Sequence, residues 1–235
     1  MSKTLCEGAV LLLPYSSTMG IEPMDYAAAR RAMVDSQLRP QAVTDPAVIA
    51  AMASIPRERY VPPASVDVAY IDRPVQLGNG RAMTPPATLG RMIVELDVKR
   101  GESGLVVGAA TGYSVAILSD MGANVTALES DPSLADTFEQ LAGPNVRLVR
   151  GDLATGAPDM APFDFILIDG AVETVPEALT GQLRPGGRLC GCLIERGVQR
   201  LVIGQRTGDA FGFRSLADAA APPLPGFTRP RVFTF

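Results

Sequence analysis

The sequence has no histidine and no tryptophan, only three cysteines among 235 residues, and a net charge of just −4. Each shortage removes a class of function. Without imidazole the chain cannot build a Ser-His-Asp or Cys-His hydrolase or any metal site that needs a histidine ligand, so no metal is expected. Three cysteines are too few for a disulfide framework, and Cys190 and Cys192, two apart in "GRLCGCLIE", share one buried face of a strand. A reduced, cytoplasmic setting follows as the expectation. The small acidic charge gives no broad attraction to phosphate backbones or anionic lipid, so neither nucleic acid nor membrane is expected as a partner. The apolar run "AVLLLP", broken by Pro14, is far too short to span a bilayer. Residues 1–23 hold one lysine and no small-residue cleavage site, which argues against a signal peptide. An upstream start codon or an arm packed on a neighbouring copy accounts for that segment better, and the main body is expected to begin at Met24.

With 47% hydrophobic residues the chain can bury one good core and at most a small second lobe. The stretch "GLVVGAATGYSVAIL", Gly104 to Leu118, reads as an apolar strand, a tight turn of small residues and a helix. Such a turn lets the backbone reverse without side chains in the way and aims the helix's free amides at the gap, a nucleotide-binding geometry. The dinucleotide fingerprint G-x-G-x-x-G is incomplete, because only Gly108 and Gly112 are glycine, with Ala109, Ala110 and Thr111 between them. An NAD-linked oxidoreductase is therefore disfavoured. Glu129 ends the next apolar run, "NVTALES", twenty-one residues after Gly108, where a carboxylate can accept both hydroxyls of a ribose. A nucleoside without pyrophosphate, S-adenosylmethionine (SAM), suits that pair of features. Alkylation of a carboxylate by a sulfonium methyl also survives the lack of histidine, since the nucleophile is already ionised at pH 7.

The pattern along the chain predicts helices over "DYAAARRAMVDSQL" and "DPAVIAAMASI", the second opened by Asp45 as N-cap and Pro46 at the first helical position. Residues 62–80 read as irregular. "TPPATLGRMIVELDV" has Leu89, Met92, Ile93 and Leu96 on one helical face, with Thr84 as its cap and Pro85 as its start. From residue 103 strands and helices alternate: strand 103–108, helix 112–121, strand 123–128, and a helix from Pro132 with Leu134, Phe138 and Leu141 as its stripe. Further strands follow in "NVRLVRGD", "FDFILIDG", "GRLCGCLIE" and "VQRLVIGQR", with a short helix around Val175 to Leu183. Near-continuous apolar strands fit a parallel sheet covered on both faces. "DAFGFRSLADA" and "RPRVFTF" follow no helical crossover and read as antiparallel edge strands. The expected division is an extension over 1–23, a helical region with a substrate loop over 24–98, and an α/β core over 99–235.

In family order the chain carries "SQLRP", "AMASIPRERYVPP", "AYIDRPVQLGNGRAMTPP", "VVGAATGY", "ALESDPSLAD", "GDLATG", "APFDFILIDGA" and "QLRPGGRL". From Met24 to about Gln205 it resembles the protein-L-isoaspartate O-methyltransferases, which use SAM to methylate the carboxylate of isoaspartyl residues. The resemblance implies a Rossmann-like SAM-dependent methyltransferase sheet with a helical N-terminal addition. It implies cofactor contacts from the loop Gly108, Ala110, Thr111, Gly112 and Tyr113, from Glu129 to the ribose, and from Asp152 to the adenine edge. The substrate would be an isoaspartyl peptide or a related small carboxylate, and an oligomer could form through the N-terminal extension.

Several positions depart from the family pattern. Val106 stands where an acid usually precedes the first loop glycine, and Ala110 replaces the second glycine. The family's "GQTIS" is "GRAMT" here, so Thr84 replaces the serine linked to catalysis, Ala82 replaces a threonine, and Arg81 replaces glutamine and can pair with a substrate carboxylate. Thr84 reads equally well as a helix cap, and Arg81 as a solvated loop residue. Asp169, after the fourth strand of the core, either faces the cofactor crevice or caps a turn, and Asp72 in "AYIDRP" matches the family motif or organises a turn. A second reading stays open: a homologue that keeps the fold but serves as a binding or regulatory protein, favoured by Val106, Ala110 and Ala82.

Overall fold

The computed structural model describes residues 24–141, 143 and 145–229. The expectations for residues 1–23, and most of the "RPRVFTF" strand, lie outside these.

Asp25 opens α1 (Tyr26–Met33), its carboxylate accepting the Ala28 amide at 2.9 Å. The helix expected to run on to residue 38 instead loosens into a π turn, Val34–Leu38, and a 3-10 turn, Arg39–Gln41. Pro40 is the cause: it has no N–H to donate and its ring displaces the carbonyl of the preceding turn. Asp45 caps α2 (Pro46–Ser54) as predicted, accepting the amides of Ala47 and Val48 at 2.9 and 3.0 Å. The stretch read as irregular, 62–80, holds a 3-10 turn, Pro63–Val68, and β1 (Val75–Gly78), which forms an antiparallel hairpin with β2 (Arg81–Met83) just beyond it. Its turn is Asn79-Gly80, both at positive φ, the dipeptide that matches strand twist best in a two-residue hairpin loop.

The next helix, α3 (Pro86–Leu96), starts one residue later than expected, and Thr84 does not cap it. Asp72 takes that place from outside the helix, its Oδ1 accepting the Ala87 amide at 3.1 Å. Leu89, Met92, Ile93 and Leu96 are buried on the predicted stripe.

The core then runs β3 (Ser103–Val107), α4 (Tyr113–Asp120), β4 (Asn124–Glu129), α5 (Pro132–Leu141), β5 (Val146–Arg150), β6 (Phe163–Val172), α6 (Glu177–Thr180), β7 (Leu183–Glu195), β8 (Val198–Thr207) and β9 (Ala210–Asp218). The sheet order is β5-β4-β3-β6-β7-β8-β9, parallel from β5 to β7 and antiparallel from there to β9. This is the mostly parallel methyltransferase-type sheet with an antiparallel C-terminal edge. Alternate residues of β3 and β6 feed two clusters: Val106, Phe165 and Leu167 on one face, Leu105, Val107, Ile166 and Ile168 on the other. Burial on both faces explains why the middles of these strands, Leu105–Val107 and Phe165–Ile168, are apolar without alternation. No helix among the described residues is long and apolar enough to cross a membrane. After β9 the chain returns over the end of β6, where the Ala171 amide donates to the Pro222 carbonyl and the Leu224 amide to the Ala171 carbonyl, at 2.8 and 2.9 Å.

Candidate active site

The chain builds outward from β3 in both directions, to β4 on one side and later to β6 on the other, so the loops beyond these strands part and leave a crevice at their carboxyl ends. The small-residue loop lies there. Gly108 and Gly112 have φ of +77° and +96°, and Ala110 also takes the left-handed region at +50°. For an alanine that conformation costs roughly 1–2 kcal/mol, and the surroundings hold it. The amides of Gly108 and Ala109 both donate to the Leu128 carbonyl at 3.0 Å, and the Thr111 hydroxyl donates to the Tyr60 carbonyl at 2.6 Å. A Cβ on Gly112 would overlap the Phe138 ring of α5, so the loop is pinned from below.

Glu129, the last residue of β4, is 1% exposed. Its Oε2 accepts the Ala110 amide at 2.7 Å, and its Oε1 accepts the amides of Ser130 and Asp131 at 2.8 and 2.9 Å. The remaining capacity is taken by Arg81 of the hairpin, which is 5% exposed and grips the carboxylate with both terminal nitrogens, Nη2 at 3.0 Å from Oε2 and Nη1 on Oε1. Arg81 is neither solvated nor open to a substrate in this form. Leu224 covers the neighbouring backbone: a Cβ on Gly108 or Gly170 would come within 2.8 or 2.6 Å of its side chain.

Inside this cover lies a pocket of about 10 Å³ of mixed lining, with Arg57, Thr84, Tyr113 and Asp169 beside Met83 and Leu89, roughly the room one water occupies. Arg57 is fully buried, donating through Nε to the Ala69 carbonyl at 2.7 Å and through Nη2 to the Thr84 carbonyl at 2.9 Å, with its guanidinium carbon 4.7 Å from the centre of the Tyr113 ring. Seven buried side-chain polar atoms of the described residues lack a well-aligned hydrogen-bond partner; four belong to residues lining this pocket, Arg57 Nη1, Thr84 Oγ1, Tyr113 OH and Asp169 Oδ1, and a fifth, Ser114 Oγ, lies beside Asp169. Native proteins leave few such atoms, and a concentration of them marks a place built for something other than stability.

Burial pushes the Asp169 carboxyl above its ordinary 3.8, against the opposing pull of Ser114, Thr84 and Arg57. The folded state therefore holds this proton more tightly than the unfolded chain. The associated stability is present in full below pH 3.8 and is lost as pH rises through the folded value. Asp169→Asn removes the charge without changing the shape, so thermal melts should show it more stable than wild type at pH 7, with a gap that narrows towards pH 4. A gap of the same size at both pH values, or a less stable variant at pH 7, would mean that the carboxylate is satisfied.

The structure thus gathers Arg81, Thr84, Gly108, Ala110, Thr111, Gly112, Tyr113, Glu129 and Asp169 around one crevice. Asp152 lies at the same end of the sheet beyond β5, exposed, with its Oδ1 accepting the amides of Ala154 and Thr155 at 2.8 and 3.0 Å. Asp72 is not brought to the pocket; it is exposed and lines a separate cavity with Pro85, Thr88 and Arg91. Arg57, Ser114 and Leu224 join the site without a sequence expectation for them. Only Arg57 had a signal, its place in "IPRERYVPP".

The donor set fits SAM. A buried strand-end carboxylate suits a ribose diol, a left-handed loop bares backbone to a ligand, and unpartnered hydroxyls face inward. What fills the crevice is this chain's own Arg81 and Leu224.

Comparison with known proteins agrees. The family model for protein-L-isoaspartate(D-aspartate) O-methyltransferase matches residues 28–218. A protein-L-isoaspartate O-methyltransferase of Methylorubrum extorquens (strain PA1) is 40% identical over 208 residues, spanning 86% of this chain and 91% of that one. One of Gloeobacter violaceus is 41% identical over 161 residues, 67% of this chain and 78% of that one. Among solved structures, a protein-L-isoaspartate O-methyltransferase from Plasmodium falciparum in complex with S-adenosyl-L-homocysteine (SAH) superposes with a TM-score of 0.70 at 19% identity, over 86% of this chain and 99% of that one. At that identity the superposition speaks to the fold.

Proposed function

The chain belongs to the protein-L-isoaspartate(D-aspartate) O-methyltransferase family, a SAM-dependent methyltransferase family, and we propose that it methylates the carboxylate of isoaspartyl residues in peptides or proteins. In this reading Glu129 accepts the ribose hydroxyls, the backbone of Gly108–Tyr113 lies along the cofactor, and Asp152 receives the adenine edge. When bound, SAM supplies an electrophilic sulfonium methyl. A carboxylate attacks as the anion it already is at pH 7, so the protein's work is alignment and exclusion of water, and no general base is needed. The absence of histidine is no handicap to such a reaction.

The observation that carries the proposal is Thr84. The residue is 2% exposed, and its hydroxyl caps no helix and makes no well-aligned hydrogen bond; it lies beside the Asp169 carboxyl and opens onto the same pocket as the loop. Arg57 fixes its carbonyl, so the side chain is held for a ligand oxygen. A cytoplasmic setting belongs to the same proposal, supported by the buried, unpaired Cys190 and Cys192.

The test is transfer of labelled methyl from SAM to an isoaspartyl peptide and to its ordinary aspartyl isomer. Base-labile label should enter the isoaspartyl peptide alone. Thr84→Ala should lower the rate at least tenfold, a barrier increase of about 1.4 kcal/mol, and Thr84→Ser, which restores a freer hydroxyl, should keep or raise it. No label in either peptide, or equal label in both, would overturn the substrate assignment.

A further inference from the structure

The hairpin's arginine sits where a ribose would have to go. With Arg81 and the amides of Ala110, Ser130 and Asp131 bound, Glu129 has filled the roughly four acceptor positions a carboxylate offers. Ribose hydroxyls are neutral. They can replace Arg81 at Glu129 only if the guanidinium, 5% exposed, finds another anion, because a buried charge stripped of its partner is strongly unfavourable. On its open side Arg81 borders a groove of about 360 Å³ lined also by Asn79, Ser130, Asp131, Pro132 and Pro225. The carboxylate there, Asp131, is committed to Asn79, Ser133 and the Leu134 amide, which hold its pKa below the ordinary carboxylate value. Inward, the acid lining the pocket is Asp169, and burial favours its neutral form.

We propose that Arg81 is a positioning residue that passes from Glu129 to a carboxylate on the incoming ligand, which makes nucleoside binding at Glu129 conditional on that carboxylate. The inference rests on the reading of Glu129 as the ribose acceptor. Two ligand carboxylates share the required chemistry, the methionine end of the cofactor and the acid group of the substrate. In either case a nucleoside lacking an acid would bind poorly by itself, and Thr84, which directly follows the hairpin and lies three residues from Arg81, would be drawn into place by the same event.

Calorimetric titration of wild type and Arg81→Gln with SAH and with 5′-methylthioadenosine, which has no carboxylate, tests this. Arg81→Gln should bind methylthioadenosine at least ten times tighter than wild type. Arg81→Lys, which keeps the charge but cannot form two parallel bonds, should shift the same way by a smaller factor and serves if the glutamine variant does not fold. If the cofactor's own acid is the source, the preference for SAH over methylthioadenosine will be at least tenfold larger in wild type than in Arg81→Gln. If the substrate is the source, a saturating isoaspartyl peptide will tighten methylthioadenosine binding at least tenfold in wild type and leave Arg81→Gln unchanged. Methylthioadenosine affinity that is unchanged or weaker in both variants, with SAH still bound, overturns the exchange and leaves the cofactor site standing. SAH bound by neither wild type nor Arg81→Gln at millimolar concentration overturns the ribose assignment and the exchange with it.

Discussion

Glu129→Ala should destabilise the protein by about 3–5 kcal/mol, a large part of the stability a domain of this size has. The loss comes from what is left behind. Arg81 would keep a full charge in a site only 5% exposed, and the amides of Ala110, Ser130 and Asp131 would lose their shared acceptor. Truncating the second partner separates this from the role in binding. Glu129→Ala with Arg81→Gln should recover much of the stability in urea unfolding, because no unpaired charge remains, while its affinity for SAH stays roughly 1.5–3 kcal/mol weaker than that of Arg81→Gln alone. A single variant that loses less than about 1 kcal/mol would place the pair among exposed ion pairs and contradict the buried lock. A double variant with undiminished SAH affinity would remove Glu129 from the cofactor site.

The second large effect is expected at Arg57. Its two hydrogen bonds run to carbonyls at Ala69 and Thr84, residues on either side of the β1–β2 hairpin, so one planar guanidinium clamps both ends of that segment against Tyr113. Arg57→Ala leaves two buried carbonyls unpaired and a cavity in place of a large side chain, a loss of about 3–5 kcal/mol. Arg57→Lys keeps the charge but cannot address two carbonyls in different directions with a rigid fork. It should fold with a lower melting temperature and still lose at least tenfold in methyl transfer, because the Thr84 backbone is no longer fixed. A lysine variant with wild-type melting and wild-type transfer would reduce Arg57 to a space-filler.

The parts of this site that were legible in the sequence are the local ones. The strand, small-residue turn and helix from Gly104 to Leu118 announce themselves by apolar continuity broken at glycines, and Glu129 is found by its distance along the chain. Asp45 and Pro46 mark a helix start because capping is settled within four residues. Partners distant in sequence are not readable in this way. Arg81 looks like any arginine in a polar loop until the hairpin folds it onto Glu129, 48 residues on. Arg57, within "RER", has the composition of a solvated face, and only the packing of Tyr113 and the hairpin around it makes it interior. Thr84 beside a proline has the look of a cap, but the second proline moves the helix start to residue 86 and Asp72, twelve residues earlier, takes the role. The Asn79-Gly80 turn is a hairpin signal in the sequence, but its flanking strands, only four and three residues long, are too short to show alternation.

If Arg81 yields Glu129 to a ligand, the crevice beyond β3 and β4, with Glu129 at its base, is a cofactor site that this chain can open. Calorimetric titration of the folded wild-type protein with SAH tests it without any assumption about substrate. Saturable heat with a micromolar dissociation constant, about −8 kcal/mol, is the expected result. Protein that is folded by circular dichroism yet gives no heat with millimolar SAH would contradict it.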